Sequence, residues 1–243
     1  MDRRNALRTM GGASVAGLVG LSGCTTDAKE ALDGIDAVIA DAGTNAILPV
    51  PDCVLTGAQA AGPFYFNVDQ VRRDITEGRA GIPLRLLLTV VDVDQCLPLV
   101  DALVDIWHTD ADGLYSGYTG QADDGSIDTR GETFMRGLQV SDSGGQVEFS
   151  TIYPGWYISR TAHIHVKVHL DNQTVVTSQL YFPEADNEKV YALPPYSSSG
   201  RGQRPTNNTN DGVVGSGQLE DLLIRIEETN DGYNGFFIIG VRV

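Results

Sequence analysis

The segment "RTAHIHVKVHL", Arg160 to Leu170, alternates polar and apolar side chains. Because successive side chains of a β-strand point to opposite faces, this alternation predicts a strand with one polar and one apolar face. His163, His165 and His169 share the polar face. Two alternatives follow: this face is exposed to solvent, or its imidazoles, two residues apart, bind one metal ion.

Short β-branched segments recur on both sides of this strand and predict the fold class. They include "LRLLLTVVDV", "ALVDIWH", "GQVEFSTIY", "SQLYF" and "NGFFIIGVRV", and turn residues that accept positive φ separate several of them. We therefore predict an all-β protein, an antiparallel β-sandwich with little helix. Polar stretches at residues 117–131 and 197–217 predict long functional loops. The segment "GSGQLEDLLIRIEETND" has helical character.

Composition limits the function classes. The chain has 243 residues and a formal net charge of −15, so it is long enough for a sizeable core and strongly acidic. Beyond the first ten residues, Lys and Arg are scattered and form no basic stripe that would neutralise phosphates. We expect no nucleic-acid partner.

The first 24 residues have the pattern of an export signal. A basic start with Arg3 and Arg4 precedes an apolar run from Met10 to Gly23, which is too short to span a bilayer comfortably. The ending "LSGC" resembles a bacterial lipoprotein box, in which Cys24 is lipidated, and the paired arginines loosely resemble a twin-arginine signal. We expect an exported lipoprotein, anchored through Cys24 and facing the periplasm or the cell exterior. A frayed amphipathic helix is the alternative, and the export route stays open.

The remaining chain divides into a tether and a folded domain. Residues 25–50 are small and polar around a short helical run, which predicts a tether, and residues 51–243 form the domain. With Cys24 assigned to lipid, we predict that Cys53 and Cys96 pair, because disulfides persist outside the cytoplasm. Loop closure of that length contributes roughly 4 kcal/mol. Two separate buried thiols are the alternative.

Aromatic residues precede the histidine strand in two segments. "TIYPGWYISR" places Trp156 and Tyr157 after a Pro-Gly turn, and "IWHTDADGLYSGY" presents His108, Tyr115 and Tyr118. Any one buried tyrosine is usually a packed ring with a satisfied hydroxyl. A phenol, with a pKa of about 10, is a poor ligand at neutral pH, but a trivalent cation favours the phenolate. Two tyrosinates with two neutral histidines would suit ferric iron.

These segments, in this order, resemble the intradiol ring-cleavage dioxygenases, the catechol and protocatechuate dioxygenase family, and especially its exported single-domain branch. The resemblance runs from Cys53 to the last residue and rests on "DALVDIWHTDADGLYSGY", "GETFMRGLQVSDSGGQVEFSTIYPGWYISRTAHIHVKV" and "SQLYF". It implies that residues 51–243 are a catalytic domain with non-haem Fe(III). The implied reaction cleaves a catechol-type substrate with dioxygen between the hydroxyl-bearing carbons, giving a cis,cis-muconate-type diacid.

The resemblance also implies roles for individual residues. Tyr157 would leave the iron when substrate binds and take a catechol proton. Arg160 would stabilise negative charge on the ring, and Gln179 would orient Arg160 or a ligand. The implied iron ligands are Tyr115, Tyr157, His163 and His165.

Three further candidates are not assigned as ligands. His108 is predicted to have a structural role, and Tyr118 is predicted to line the pocket. His169 is predicted either to be exposed to solvent or to contact a metal ligand without binding the metal itself. The sequence departs from the family at Ala60-Ala61 and at Ile158-Ser159, which puts the substrate preference in doubt. Which catechol is cleaved and how many subunits assemble stay open.

Two other function classes remain as alternatives. One is an extracytoplasmic β-sandwich lipoprotein that binds a ligand without catalysis, since sandwiches support many functions. The other is a zinc hydrolase that uses His163 and His165, although the sequence lacks an HExxH-type helix and an obvious acidic third ligand.

Overall fold

Nine β-strands and one α-helix make up the regular structure of the described residues. The structure is a computed structural model that describes residues 53–214 and 218–243, all within the unit Pro49–Val243. The elements are β1 (Pro83–Asp92), β2 (Leu97–Pro98), β3 (Leu103–Trp107), β4 (Arg136–Val140), β5 (Gln146–Ile152), β6 (His163–Leu170), β7 (Gln173–Tyr181), α1 (Glu184–Tyr191), β8 (Arg225–Glu228) and β9 (Tyr233–Val241).

The strands form two sheets, and the predicted β-sandwich is confirmed. One sheet has the order β4-β3-β6-β7, with every pair antiparallel. The other has the order β2-β1-β9-β8, and β5 also pairs with β1. The β1 and β9 strands run parallel, which joins the first strand of the sandwich to the last. The sandwich is therefore antiparallel except for this one pair, since β2, β5 and β8 pair with their neighbours in the antiparallel sense.

The core lies between the sheets and follows the alternation of the strands. Leu84 and Leu86 of β1, with Ile164 and Val166 of β6, belong to one buried cluster. Burying each such side chain contributes about 1.5–3 kcal/mol. Because the apolar residues of β6 face this core, its histidines must point to the other face of the sheet.

That other face is covered by chain rather than by water. The backbone N–H of Gln59 donates to the carbonyl oxygen of Thr177 in β7, at 2.9 Å, and starts a segment that crosses the sheet. Farther along this segment, the Tyr65 ring lies 4.7 Å from the Trp107 ring. His163 and His165 are 3% and 2% exposed. A solvent-exposed face is therefore wrong for the first half of β6.

Within residues 218–231, the predicted helical character is wrong beyond one turn. A single 3-10 turn spans Glu220–Leu222, and β8 follows it. Strand β8 pairs with β9, with Arg225 opposite Phe236, so a partner close in sequence overrides the local helical pattern. Conversely, α1 was not predicted. It is held by Asn187, whose side-chain oxygen accepts a hydrogen bond from Tyr153 Oη at 2.8 Å.

Cys53 and Cys96 form the predicted disulfide, with their Cα atoms 5.6 Å apart. The bond ties the segment before β1 to the turn after it. The predicted signal peptide at residues 1–24 and the tether at residues 25–50 lie outside the described residues and stay predictions. Among the described residues, no helix has the length and apolar character needed to cross a membrane.

Replacing both cysteines with serine should lower the free energy of unfolding by about 4 kcal/mol, because the unfolded chain regains the entropy of the closed loop. Urea denaturation followed by tryptophan fluorescence measures the change. A reductant should shift the midpoint of the unmodified protein toward that of the variant and leave the variant unchanged. Equal midpoints for both proteins without reductant would contradict the prediction.

Candidate metal centre

Strand β6 places two imidazoles on the covered face of the four-stranded sheet. His165 lies opposite Trp107 of β3 and Gln179 of β7, and His163 lies opposite Tyr181. The Trp107 ring stacks on the His165 ring, with centroids 4.7 Å apart and planes 2° apart. The neighbouring strands therefore fix the plane of at least one imidazole.

Three donor atoms converge in front of this face. The Tyr115 phenol oxygen lies 3.1 Å from Nε2 of His163 and 3.1 Å from Nε2 of His165, and the two nitrogens are 3.2 Å apart. Metal–ligand distances of about 2.0–2.2 Å place neighbouring donors roughly 3 Å apart. The triangle therefore has the size of one face of a metal coordination sphere.

Burial favours the neutral form of both histidines, and His163 aims a lone pair at this centre. Nδ1 of His163 lies 2.7 Å from the carbonyl oxygen of Thr161, which can only accept, so Nδ1 carries the proton and Nε2 a lone pair. Burial, with the positive charge of Arg160, lowers the pKa of His163 to about 3. Burial also lowers the pKa of His165 well below its ordinary value. Neither ring holds the positive charge that would repel a metal ion.

Tyr115 is positioned by a tight turn after β3. Gly113 has φ of +77°, and a Cβ there would lie 2.0 Å from the carbonyl oxygen of Trp156, so the turn requires glycine. The backbone of Tyr115 is then held on both sides. Its N–H donates to Oε1 of Gln121 at 2.9 Å, and its carbonyl accepts from Oγ1 of Thr129 at 2.7 Å.

Tyr157 completes the set from a short turn before β6. Its ring centroid lies 5.6 Å from that of Tyr115 and 5.7 Å from that of His163. An isolated bridge pairs Tyr157 with Arg160, and Ser159 inside the turn has φ of +71°. The structure thus brings together all four residues that the family resemblance assigns as ligands.

The donor set suits a hard trivalent cation. Burial raises the pKa of the Tyr115 phenol well above its ordinary value, and it raises the pKa of Tyr157 while Arg160 partly opposes the rise. Both phenols therefore stay protonated unless a strong positive charge favours the phenolate. Nδ1 of His165 is buried without a partner, so stacking on Trp107 rather than a hydrogen bond at Nδ1 orients this ring.

A zinc site of the usual hydrolase type does not fit these residues. Within residues 53–214 and 218–243, no group of three or more His, Cys, Asp or Glu side chains is placed to hold a metal ion. The candidate centre has two histidines, and its oxygen donors are phenols.

Arg160 lies behind the donor atoms in a buried network. Its Nε donates to both carboxylate oxygens of Asp211, at 3.2 and 3.0 Å, and its Nη2 donates to Oε1 of Gln179. Gln179 is fixed in turn by donating from Nε2 to the carbonyl oxygen of Ala60 at 2.8 Å. Asp211 also accepts from the backbone N–H of Thr161 at 2.8 Å. The Asp211 carboxylate therefore binds both Arg160 and Thr161, and the carbonyl oxygen of Thr161 orients His163.

A cavity of about 230 Å³ opens beside the two phenols. The Phe64 ring stacks on Tyr115, with centroids 4.6 Å apart, and forms one wall. The other side is open at Ile158, which is 51% exposed. The cavity therefore adjoins both candidate phenol ligands. Residues that line it include Phe64, Tyr115, Gln121, Asp123, Tyr157 and Ile158.

Comparison with known families agrees with this geometry. The model of the dioxygenase family matches residues 61–201, more than half of the chain. The chain belongs to the intradiol ring-cleavage dioxygenase family. The matched range contains every residue assigned above as a ligand, together with Arg160 and Gln179.

Two solved dioxygenase structures resemble the chain over most of its length. An intradiol ring-cleavage dioxygenase from Tetranychus urticae is 29% identical, with a TM-score of 0.71 over 78% of this chain and 95% of that chain. The dioxygenase domain of a dioxygenase and carbohydrate-binding protein fusion from Streptomyces sp. SirexAA-E is 29% identical, with a TM-score of 0.55 over 78% of this chain and 99% of that chain.

Curated relatives match a shorter region. A chlorocatechol 1,2-dioxygenase from Pseudomonas sp. strain P51 is 31% identical over 114 residues, which is 40% of this chain and 42% of the relative. A chlorocatechol 1,2-dioxygenase from Rhodococcus opacus is 27% identical over 118 residues, or 43% of that protein. The chain thus spans less than half the length of these curated relatives.

The remaining sequence candidates lie around the centre without joining it. His108 is fully buried between the carbonyl oxygen of Thr109 and Oγ1 of Thr151, at 2.7 and 2.8 Å, and burial lowers its pKa to about 4. His169 is half-buried and lies 3.0 Å from Oγ1 of Thr174.

Tyr118 and Trp156 also stay outside the donor set. Tyr118 donates from Oη to the carbonyl oxygen of Tyr65 at 2.9 Å and packs edge-on against Phe64. Trp156 packs against Arg201, whose guanidinium carbon lies 3.8 Å from the ring centre. Tyr118 thus supports a wall of the cavity through Phe64.

Sequence reasoning missed two contributors to the site. Asp211 lies in the predicted polar loop at residues 197–217, and no pattern in that loop marks it as the partner of Arg160. Phe64 lies in "AGPFYF", next to the Ala60-Ala61 departure from the family, so its aromatic run was the available signal.

Asp211→Ala should lower the free energy of unfolding by about 3–5 kcal/mol, because a buried guanidinium then loses its counter-charge. The matched control is Asp94→Ala, which breaks an exposed pair with Arg242 and should cost less than about 1 kcal/mol. Chemical denaturation of the three proteins measures both effects. Equal costs for the two substitutions would contradict the stabilising role of the buried pair.

Proposed function

We propose that this chain is an enzyme that cleaves a catechol-type aromatic with dioxygen, between the two hydroxyl-bearing carbons. The product would be a cis,cis-muconate-type diacid. The reaction would take place at a non-haem ferric ion held by the two phenols and two imidazoles of the candidate metal centre, Tyr115, Tyr157, His163 and His165.

One observation carries the proposal. The Tyr115 oxygen and the Nε2 atoms of His163 and His165 lie within 3.2 Å of one another, and the Tyr157 ring lies beside them. Neutral imidazoles and phenols in this arrangement form a hard donor set with an open side toward a cavity. The names of the relatives, among them chlorocatechol 1,2-dioxygenases, support the substrate class.

The bound ferric ion would act as a Lewis acid that favours the deprotonated forms of phenols and catechols and makes the ring reactive toward dioxygen. The chain's own residues would supply the rest. Tyr157 would accept one catechol proton at Oη, since it lines the cavity that would hold the substrate. The Phe64 ring, stacked on Tyr115, would keep water from one face of the substrate.

Arg160 would stabilise negative charge that develops on the ring. The residue is 8% exposed, so its field acts through a medium of low polarity. Asp211 and Gln179 occupy its Nε and Nη2 and hold the planar group in one orientation. Arg160 is therefore preorganised before substrate binds.

Protein loaded with ferric iron should absorb visible light, because phenolate bound to ferric iron gives a charge-transfer band, and catechol should shift that band. Tyr157→Phe should change both the band and its response to catechol. Tyr191→Phe removes a partly buried phenol that donates to the carbonyl oxygen of Pro154, and it should change neither. Absorption spectra with parallel iron analysis test this. A colourless protein without iron after careful loading would contradict the ferric site.

Catechol should be consumed with dioxygen, and both oxygen atoms of labelled dioxygen should appear in a ring-opened diacid. Arg160→Gln should lower kcat by about 10²–10³-fold while iron stays bound, since it removes preorganised positive charge. Arg130→Gln, at an exposed arginine that pairs with Asp128, is the matched control and should retain full activity.

A dioxygen electrode and mass spectrometry of the product measure these outcomes. A product opened beside the two hydroxyls, rather than between them, would sink the intradiol assignment. Tight catechol binding with no dioxygen uptake would favour the non-catalytic ligand-binding alternative.

A further inference from the structure

An ion pair lies at the open side of the cavity, and the proposed reaction does not use it. Asp123 belongs to the loop at residues 117–131 and lines the cavity. Arg201 donates from Nη2 to Oδ1 of Asp123 at 2.7 Å and from Nε to Oδ2 at 3.3 Å. The Asp123 side chain is 37% exposed, so the pair lies where the cavity meets solvent.

Arg201 is fixed by groups other than Asp123. Its Nη1 donates to the carbonyl oxygens of Asp112 and Trp156, at 2.8 and 2.5 Å. Its guanidinium carbon lies 3.8 Å from the centre of the Trp156 ring, in cation–π contact. The guanidinium would therefore keep its position if the charge of Asp123 were removed.

The charges around the cavity leave no free cation for an anionic substrate. Among the described residues that line it, Asp123 alone carries a formal charge, and Arg201 balances that charge. The buried Arg160 has its own counter-charge in Asp211. A carboxylate on the substrate would lose water without gaining a partner and would meet the like charge of Asp123. The net charge of −15 adds long-range repulsion.

The rest of the cavity suits a small uncharged ring. Its walls include Phe64 and Ile158, and Gly120 leaves open space, since a Cβ there would meet nothing within 4 Å. Its volume of about 230 Å³ is below the range of roughly 300–1,000 Å³ typical of pockets for drug-sized ligands. One aromatic ring with a short substituent matches this space.

We propose that the Asp123–Arg201 pair determines substrate charge: the site takes single-ring catechols with uncharged substituents and rejects those that carry a carboxylate. The inference rests on the proposed function, since it assumes that a catechol occupies this cavity.

Three catechols of similar size separate charge from shape: 4-ethylcatechol, 3,4-dihydroxyphenylacetate and 2-(3,4-dihydroxyphenyl)ethylamine. In the last two, a saturated carbon separates the charged group from the ring, so the two hydroxyls keep similar chemistry. Calorimetry on the iron-loaded protein without dioxygen measures each Kd independently of turnover. The unmodified protein should bind 4-ethylcatechol at least about tenfold more tightly than the carboxylate.

Asp123→Asn should largely remove this preference, because Arg201 then has a free charge to pair with the carboxylate. We expect the carboxylate to bind about tenfold more tightly than before and the amine to bind more weakly. General damage to the cavity would instead weaken all three ligands. Asp128→Asn removes the same charge from the same loop, where Asp128 pairs with the exposed Arg130, and should leave all ratios unchanged.

A second variant protects the test against poor folding of the first. Ile158→Lys adds a cation at the cavity while Asp123 stays in place, and it should also favour the carboxylate. Tight binding of the carboxylate by the unmodified protein, or equal ratios in Asp123→Asn, would overturn the inference and leave the dioxygenase proposal standing. Failure of all three catechols to bind would overturn both proposals.

Discussion

Two imidazoles and a phenol are held within 3.2 Å of each other in the protein interior, and their three polar atoms face one centre. His163 donates from Nδ1 to the carbonyl oxygen of Thr161, so its Nε2 presents a lone pair to that centre. A cation at the centre would stabilise these desolvated polar atoms together. The surrounding structure holds these donor atoms together and excludes water from them.

This requirement explains why both faces of β6 are buried. The inner face contributes Ile164 and Val166 to the sandwich core, as an ordinary strand would. The outer face would be solvated in a plain two-layer sandwich, but a segment running from Gln59 to Phe66 crosses it. Tyr65 is the centre of that cover: its ring contacts Trp107 and lies 3.3 Å from Nζ of Lys167. Burial beneath the cover raises the pKa of the Asp105 carboxyl to about 6, although Tyr65 and Lys167 oppose the rise.

The sequence predicts the sandwich and the four donor residues for different reasons. Alternation marks β1, β5 and β6 directly, because strand geometry is local. The parallel pairing of β1 with β9 has no local signal, since it joins strands about 150 residues apart, and chain-wide packing decides it. His163 and His165 alone are indistinguishable from a solvated stripe. The ligand assignment comes from the resemblance to the intradiol dioxygenases, which also includes Tyr115 and Tyr157. Asp211 stays invisible because an ion pair across 51 residues leaves no periodic pattern.

The polar segment from residue 197 to residue 214 links two properties of the site that are otherwise separate. It supplies Arg201, which balances Asp123 at the open side of the cavity, and Asp211, which balances Arg160 behind the donor atoms. Each arginine thus has a dedicated carboxylate that holds its guanidinium in one orientation. If either carboxylate were lost, the guanidinium would lose both its counter-charge and a partner that orients it. Because one segment provides half of each pair, a change in its path would alter both the charge that the cavity accepts and the orientation of Arg160.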